Sequence, residues 1–296
     1  MLMEQWLSGL IDPYYQQVLT LVGIYIIAAL GLNLITGLCG QLTFGHAAFL
    51  SIGAYTAAIL TRDYHLPFTA ALLAGGLMAA LWGVLIGLPV LRLTGDYLGI
   101  ATLGFGEIVR VAFTNMKVTG GAIGLAGISR ASNLVNVTLF VVLAIAAVVL
   151  LENSRFGRAL KAIREDEIAA ESMGINAMWY KVQAFGIGCF LAGISGGFYA
   201  HLMQYLNPND FSFIKSFEIL SFVVLGGLGS IPGAILGTAV LTVAPEFLRF
   251  MAKYRMMIYG LLLVVMMIFR PHGLLGGVDF RRLLRRRKSK SLALGG

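Results

Sequence analysis

The sequence predicts an all-α fold, a polytopic membrane helix bundle with broken, re-entrant helices, and three observations predict it. Hydrophobic residues fill 58 % of the 296 positions and charged residues only 12 %, about half the charged share of a soluble domain. The mean hydropathy is +0.84. Apolar runs of about 20 residues, the length that crosses a bilayer core, recur along the chain. A surface this poor in charge has to face lipid or a large protein partner, and the recurring runs favour lipid.

The first 280 residues read as one transmembrane domain, followed by a basic tail over 281–296. The expected spans are 18–36, 46–61, 67–91, 97–114, 133–151, 181–205 and 253–270. Segment 46–61 is short, and Glu107 with Arg110 interrupts 97–114. Residues 217–248 number 32, fewer than the ~40 that two full crossings need. A hairpin that enters and returns on one side fits that length, with Gly226-Gly-Leu-Gly-Ser-Ile-Pro-Gly233 as its break. Irregular backbone at membrane depth is tolerated only inside protein or along a cavity. A second glycine-rich interruption, Gly37-Leu-Cys-Gly-Gln-Leu-Thr-Phe-Gly45, precedes a stretch rich in Ala, Ser, Gly and Thr. The text after 226–230 has the same character, an internal echo of the repeats with broken helices found in transporters. Gly193 with Gly197, and Gly229 with Gly233 and Gly237, have the spacing that brings helices close together in lipid.

The net charge of +8 does not indicate nucleic acid. Seven of the 22 basic residues lie between Arg281 and Lys290, beyond the last apolar run, and no Lys or Arg precedes Arg62. A basic tail after a hydrophobic segment reads as a cytoplasmic anchor beside anionic lipid. With that tail inside and the hairpin counted as no crossing, 14 basic residues fall inside and eight outside. The C-terminus and the loop 152–180 are then cytoplasmic and the N-terminus external. Cys39 and Cys189 sit in separate apolar stretches and read as small packing residues.

The loop 152–180 is the longest charged stretch between spans. Asn153 or Ser154 can cap a first short helix and Asp166 a second, with Glu167 in its first turn and Gly174 as its stop. Ala169, Ala170 and Met173 then form a small apolar side suited to another protein's groove.

Here the chain resembles a known family. Ile168-Ala-Ala-Glu-Ser-Met-Gly174, preceded by Arg158-Ala-Leu-Lys-Ala-Ile-Arg164, is similar to the coupling loop of ABC-importer permeases. Leu30-Gly-Leu-Asn-Leu-Ile-Thr-Gly37, Gly40-Gln-Leu-Thr-Phe-Gly-His-Ala-Ala-Phe49, Gly53-Ala-Tyr55, Gly95-Asp-Tyr-Leu98, Thr119-Gly-Gly121 and Leu225-Gly-Gly-Leu-Gly-Ser-Ile-Pro-Gly233 resemble the branched-chain amino acid permeases, M-type subunit, in joint order from about residue 20 to 275. The resemblance implies a bacterial inner-membrane permease subunit that forms half of a pathway for branched-chain amino acids. Its implied partners are an H-type permease, two cytoplasmic ABC ATPase subunits and an external substrate-binding protein. It marks Ile168, Ala169, Ala170, Glu171, Met173 and Gly174 as the ATPase-coupling segment. Relatives that carry urea or short amides are the competing reading within the class, and an ion-coupled secondary carrier is the competitor outside it.

For the translocation path the candidates are Gln41, Thr43 and His46 at the first break and Gly226, Gly227, Gly229 and Ser230 at the second, where packing alone is the other reading. Glu107 and Arg110 have the i, i+3 spacing of an ion pair, and Glu218 opens the hairpin near its mouth. No catalytic role or cofactor is expected. The four histidines have no metal-binding spacing, and no Gly-Lys dipeptide exists to build a phosphate loop. ATP would be used by a partner subunit.

Overall fold

The computed structural model describes residues 12–93 and 95–247, with positions 260 and 264. The expected span 253–270 and the basic tail 281–296 lie outside the described stretches. Ten α-helices dominate the described residues: α1 (Pro13–Leu32), α2 (His46–Arg62), α3 (Phe68–Val90), α4 (Asp96–Asn115), α5 (Leu134–Asn153), α6 (Arg155–Glu165), α7 (Glu167–Ser172), α8 (Ala177–Met203), α9 (Phe213–Gly226) and α10 (Ile231–Phe247). Five helical stretches among them are long and apolar enough to cross a bilayer: Pro13–Leu38, α3, α4, α5 and α8. The protein is a multi-pass membrane protein of all-α architecture. Its one small sheet pairs β1 (Leu125–Ala126) with β2 (Tyr205–Leu206), antiparallel, with Leu125 opposite Leu206.

α8 is the axis, and α1, α2 and α3 pack around it. Glycines set these distances. A Cβ on Gly53 of α2 would overlap the Gly193 backbone of α8. A Cβ on Gly75 of α3 would come within 2.7 Å of the Gly53 carbonyl oxygen. Where helices surrounded by lipid have no water to expel, close backbone approach and dispersion hold them together. Single polar groups lock the seam: Ser195 Oγ donates to the Ile24 carbonyl at 2.8 Å, and Ser132 Oγ to the Phe198 carbonyl at 2.7 Å.

Segment 217–248 is two helices, α9 and α10, separated at 227–230. Gly227 and Gly229 turn there at φ +111° and +82°, a region that side chains with a Cβ rarely enter. α9 spans 14 residues, about 21 Å of rise, short of the ~30 Å hydrocarbon core. The two arms close on Gly226 and Gly233, where an added Cβ on either would overlap the other's carbonyl. So Gly193, Gly197, Gly233 and Gly237 all serve helix approach.

α1 runs into a π-helical turn, Asn33–Leu38. Such single turns are rare and are frequent at functional sites. The chain then leaves helical geometry over 39–45 before α2 begins at His46.

Candidate coupling and translocation site

The two glycine breaks, far apart in sequence, meet. Gly229 N–H donates to Asn33 Oδ1 at 2.8 Å, and a Cβ on Gly37 would overlap the Gly229 backbone. Arg164, the penultimate residue of α6, reaches the same point: its Nη1 donates to the Gly37 carbonyl at 2.5 Å. A Cβ on Gly229 would come within 2.8 Å of that nitrogen. One guanidinium therefore joins the end of α1, the tip of the α9–α10 hairpin and the loop helices.

The loop itself forms as local chemistry dictates. Ser154 accepts from Gly157 N–H at 3.3 Å to cap α6, and Asp166 Oδ1 accepts from Ala169 N–H at 3.0 Å to cap α7. Gly174 ends the turn at φ +84°. The surface of α7 divides differently from the small apolar side expected of it. Ala170 is buried, 5 % exposed, against Ile163 and Ala177, because α7 leans on α6 and α8 through its one inward-facing alanine. Ala170 is thus a packing contact and is not on the open surface. That surface carries Ile168 and Met173, 80 % and 83 % exposed, with Ala169, Glu171 and Gly174 also exposed.

α7 is tied to α8 by charge. Lys181, on the first turns of α8 and only 3 % exposed, pairs with Glu167 at 2.5 Å. Lys181 stands at the start of the expected span 181–205, and its i, i+14 separation from Glu167 crosses a turn, so helical spacing does not reveal the pair. Between α7 and the first break lies an open cavity of about 320 Å³ lined by Gln41, Asp96, Arg164, Glu167 and Lys181 among others. Gln41 is thus half-exposed on a polar cavity.

Thr43 and His46 are enclosed. His46 is 1 % exposed, with Nε2 bonded to the Ala28 carbonyl at 3.1 Å, and Thr43 is likewise buried. Gly226 and Gly227 are buried, whereas Gly229 and Ser230 are half-buried. Asn33 Nδ2 and His46 Nδ1 are buried with no hydrogen-bond partner among the described residues. The break is held by two helices: Phe44 N–H donates to Thr102 Oγ1 of α4 at 3.0 Å, while on α9 Ser216 Oγ accepts from Ala47 N–H at 3.0 Å and Phe217 stacks on the Phe44 ring at 5.1 Å.

The arrangement joins exposed apolar side chains on a loop to two irregular segments inside the bundle through a few charged contacts. Residues 14–268 match the family described as branched-chain amino acid transport system, permease component. The chain belongs to that permease family. It is 40 % identical to the high-affinity branched-chain amino acid transport system permease protein LivM of Escherichia coli strain K12, over 86 % of this chain and 68 % of that protein. It is 27 % identical to the permease protein BraD of Pseudomonas aeruginosa, over 91 % and 98 % of the two chains. Against the permease protein LivH of Escherichia coli strain K12 the figures are 23 %, 89 % and 95 %. No solved structure is significantly similar. This permease is of the LivM-like kind, and similarity to both LivM and LivH gives the family two related branches.

Proposed function

We propose that this chain is one permease subunit of an ATP-driven importer for branched-chain amino acids, forming half of the translocation pathway in a bacterial inner membrane. An H-type permease completes the pathway, two ABC ATPases dock from the cytoplasm, and an external binding protein supplies the solute. The loop carrying α6 and α7 and the C-terminus face the cytoplasm. The chain has no catalytic role and no cofactor of its own; ATP is used by the docked subunits.

One observation carries the reading: beside the exposed Ile168–Met173 surface, Arg164 of α6 bonds to the Gly37 carbonyl where both breaks meet, and Glu167 ties α7 to Lys181 of α8. Ile168 and Met173 present large apolar side chains to solvent from a loop otherwise rich in charge, which suits a groove on a partner. When the ATPases close, the push arrives at α7 through Ile168, Ala169, Glu171, Met173 and Gly174. Glu167–Lys181 passes it to α8, and Arg164 passes it to the end of α1 and to the hairpin tip at Gly229. Gln41, Gly229 and Ser230 then lie on the solute's route, while Thr43, His46, Gly226 and Gly227 shape the break from inside.

The test is co-purification and uptake. The wild-type chain should bring its ATPase with it from detergent extracts, and Met173→Glu should abolish that while the permease still inserts. An unchanged ATPase yield with normal uptake in Met173→Glu sinks the docking surface. Ion-driven uptake without any ATPase would establish a secondary carrier instead, and uptake of urea or short amides without leucine would change the solute class.

A further inference from the structure

α4 and α5 are the two least covered long helices, and they differ in what they leave uncovered. α5 has the highest mean hydropathy of the spans, 2.9, with 17 % of its apolar core stretch buried. That is a helix facing lipid. α4 has the lowest, 1.2, yet only 28 % of its stretch is buried. Its open side carries Glu107 and Arg110, paired at 2.8 Å, with Arg110 Nη1 also donating to Asn209 at 2.9 Å. Glu107 remains 36 % exposed.

The neighbouring α9 repeats the pattern. Lys215 pairs with Glu218 at 2.9 Å and donates to the Tyr25 hydroxyl, over whose ring its ammonium sits at 4.4 Å. Lys215 is the third residue of α9, and its ammonium lies 6.0 Å from the ring of Tyr199, one turn before the end of α8, so the pair sits near the hairpin's mouth. Glu218 is 35 % exposed there. Phe217 lies open beside it, stacked on Phe44 of the first break, and Ser221 sits one turn on. Charged side chains on membrane helices line water-filled cavities or face protein, not acyl chains.

We infer that Lys215 and Glu218, with the Phe44–Phe217 stack beside them and the Glu107–Arg110 pair on the next helix, form a recognition site for a zwitterionic α-amino acid on a water-filled face of α4 and α9. Glu218 takes the ammonium, Lys215 the carboxylate, and the phenyl rings the branched side chain. An uncharged solute gains nothing from either charge. This inference rests on the importer reading above and names the groups that recognise the solute.

The test uses the complete transporter, with its partner permease, ATPases and binding protein, in proteoliposomes supplied with ATP. Ser221→Cys is probed with a cationic methanethiosulfonate, and Leu143→Cys on α5 is the lipid-facing control. The native Cys39 and Cys189 are buried. Ser221→Cys should react, Leu143→Cys should not, and leucine should slow the Ser221→Cys reaction about tenfold. Adding Glu218→Gln should leave the thiol reactive but remove the protection, and leucine uptake should fall about tenfold or more, as expected when a charge-assisted contact is lost. A Ser221→Cys as inert as Leu143→Cys would show a dry face and overturn the site. So would leucine protection that survives Glu218→Gln. If the wild-type complex carries no branched-chain amino acid, the importer reading itself fails, and the labelling still decides whether this face is wet.

Discussion

α8 and α4 have nearly the same mean hydropathy, 1.3 and 1.2, but 78 % of the first is buried against 28 % of the second. The polar content of α8 is spent inside the bundle: Ser195 on the Ile24 carbonyl, Lys181 on Glu167, and glycines against the backbones of α1, α2 and α3. The polar content of α4 stands partly open. Modest hydropathy therefore has two causes in one chain. In α8 it marks tight contact between helices. In α4 it marks charged side chains left partly open.

That contrast can be broken first at its glycines. A Cβ on Gly196 of α8 would overlap the Leu50 carbonyl oxygen, whereas nothing lies within 4 Å of a Cβ on Gly104 of α4. Gly196→Leu should leave little folded protein in the membrane, while Gly104→Leu should insert at wild-type levels; membrane fractionation followed by a detergent stability assay reads both. Similar yields for the two would erase the distinction between the helices.

The Glu167–Lys181 pair sharpens it further. Glu167→Ala leaves the Lys181 ammonium without its partner and should lower stability by about 1–3 kcal/mol. Lys181→Met leaves a carboxylate that is 40 % exposed and should cost less. Thermal denaturation of the purified chain checks the order, and the reverse order would mean that Lys181 is hydrated. Ser195→Ala should cost about 0.6 kcal/mol, the typical worth of a hydrogen bond between membrane helices, and appears as a small drop in the same melting curve.

The smallest effect belongs outside the bundle. The Arg62 guanidinium, through its hydrogen bond, holds the exposed Asp63 carboxyl below the usual carboxylate range. Its folded pKa being depressed, any stabilisation is complete above the unfolded value and is lost as pH falls through the folded one. Solvent screens this pair, so Asp63→Asn should leave acid stability within error of wild type. A clear shift of the acid transition would show that the pair is shielded.

What the sequence made legible was local. Asp166 and Gly174 announce the ends of α7 because a cap needs only its own next three residues and a stop needs only a positive φ. The break at 227–230 is legible because a run of glycines and a proline suits no continuous helix. The rest depends on separations that no periodicity encodes. Arg164 and Gly37 are 127 residues apart, and Gly229 and Asn33 are 196 apart. Ala170 was read with Ala169 and Met173, but α7 has only six residues, too few for composition to indicate which side leans on α6.

The bond from Arg164 to the Gly37 carbonyl has a mechanical consequence. Peptide dipoles leave partial negative charge at the C-terminal end of a helix, and here the neutralising cation is carried by a different helix. Drawing α6 away would give up that bond and leave the buried Gly37 carbonyl unpaired, so separation costs free energy that re-docking returns. The junction acts as a latch whose closing is favoured by one charge-assisted bond.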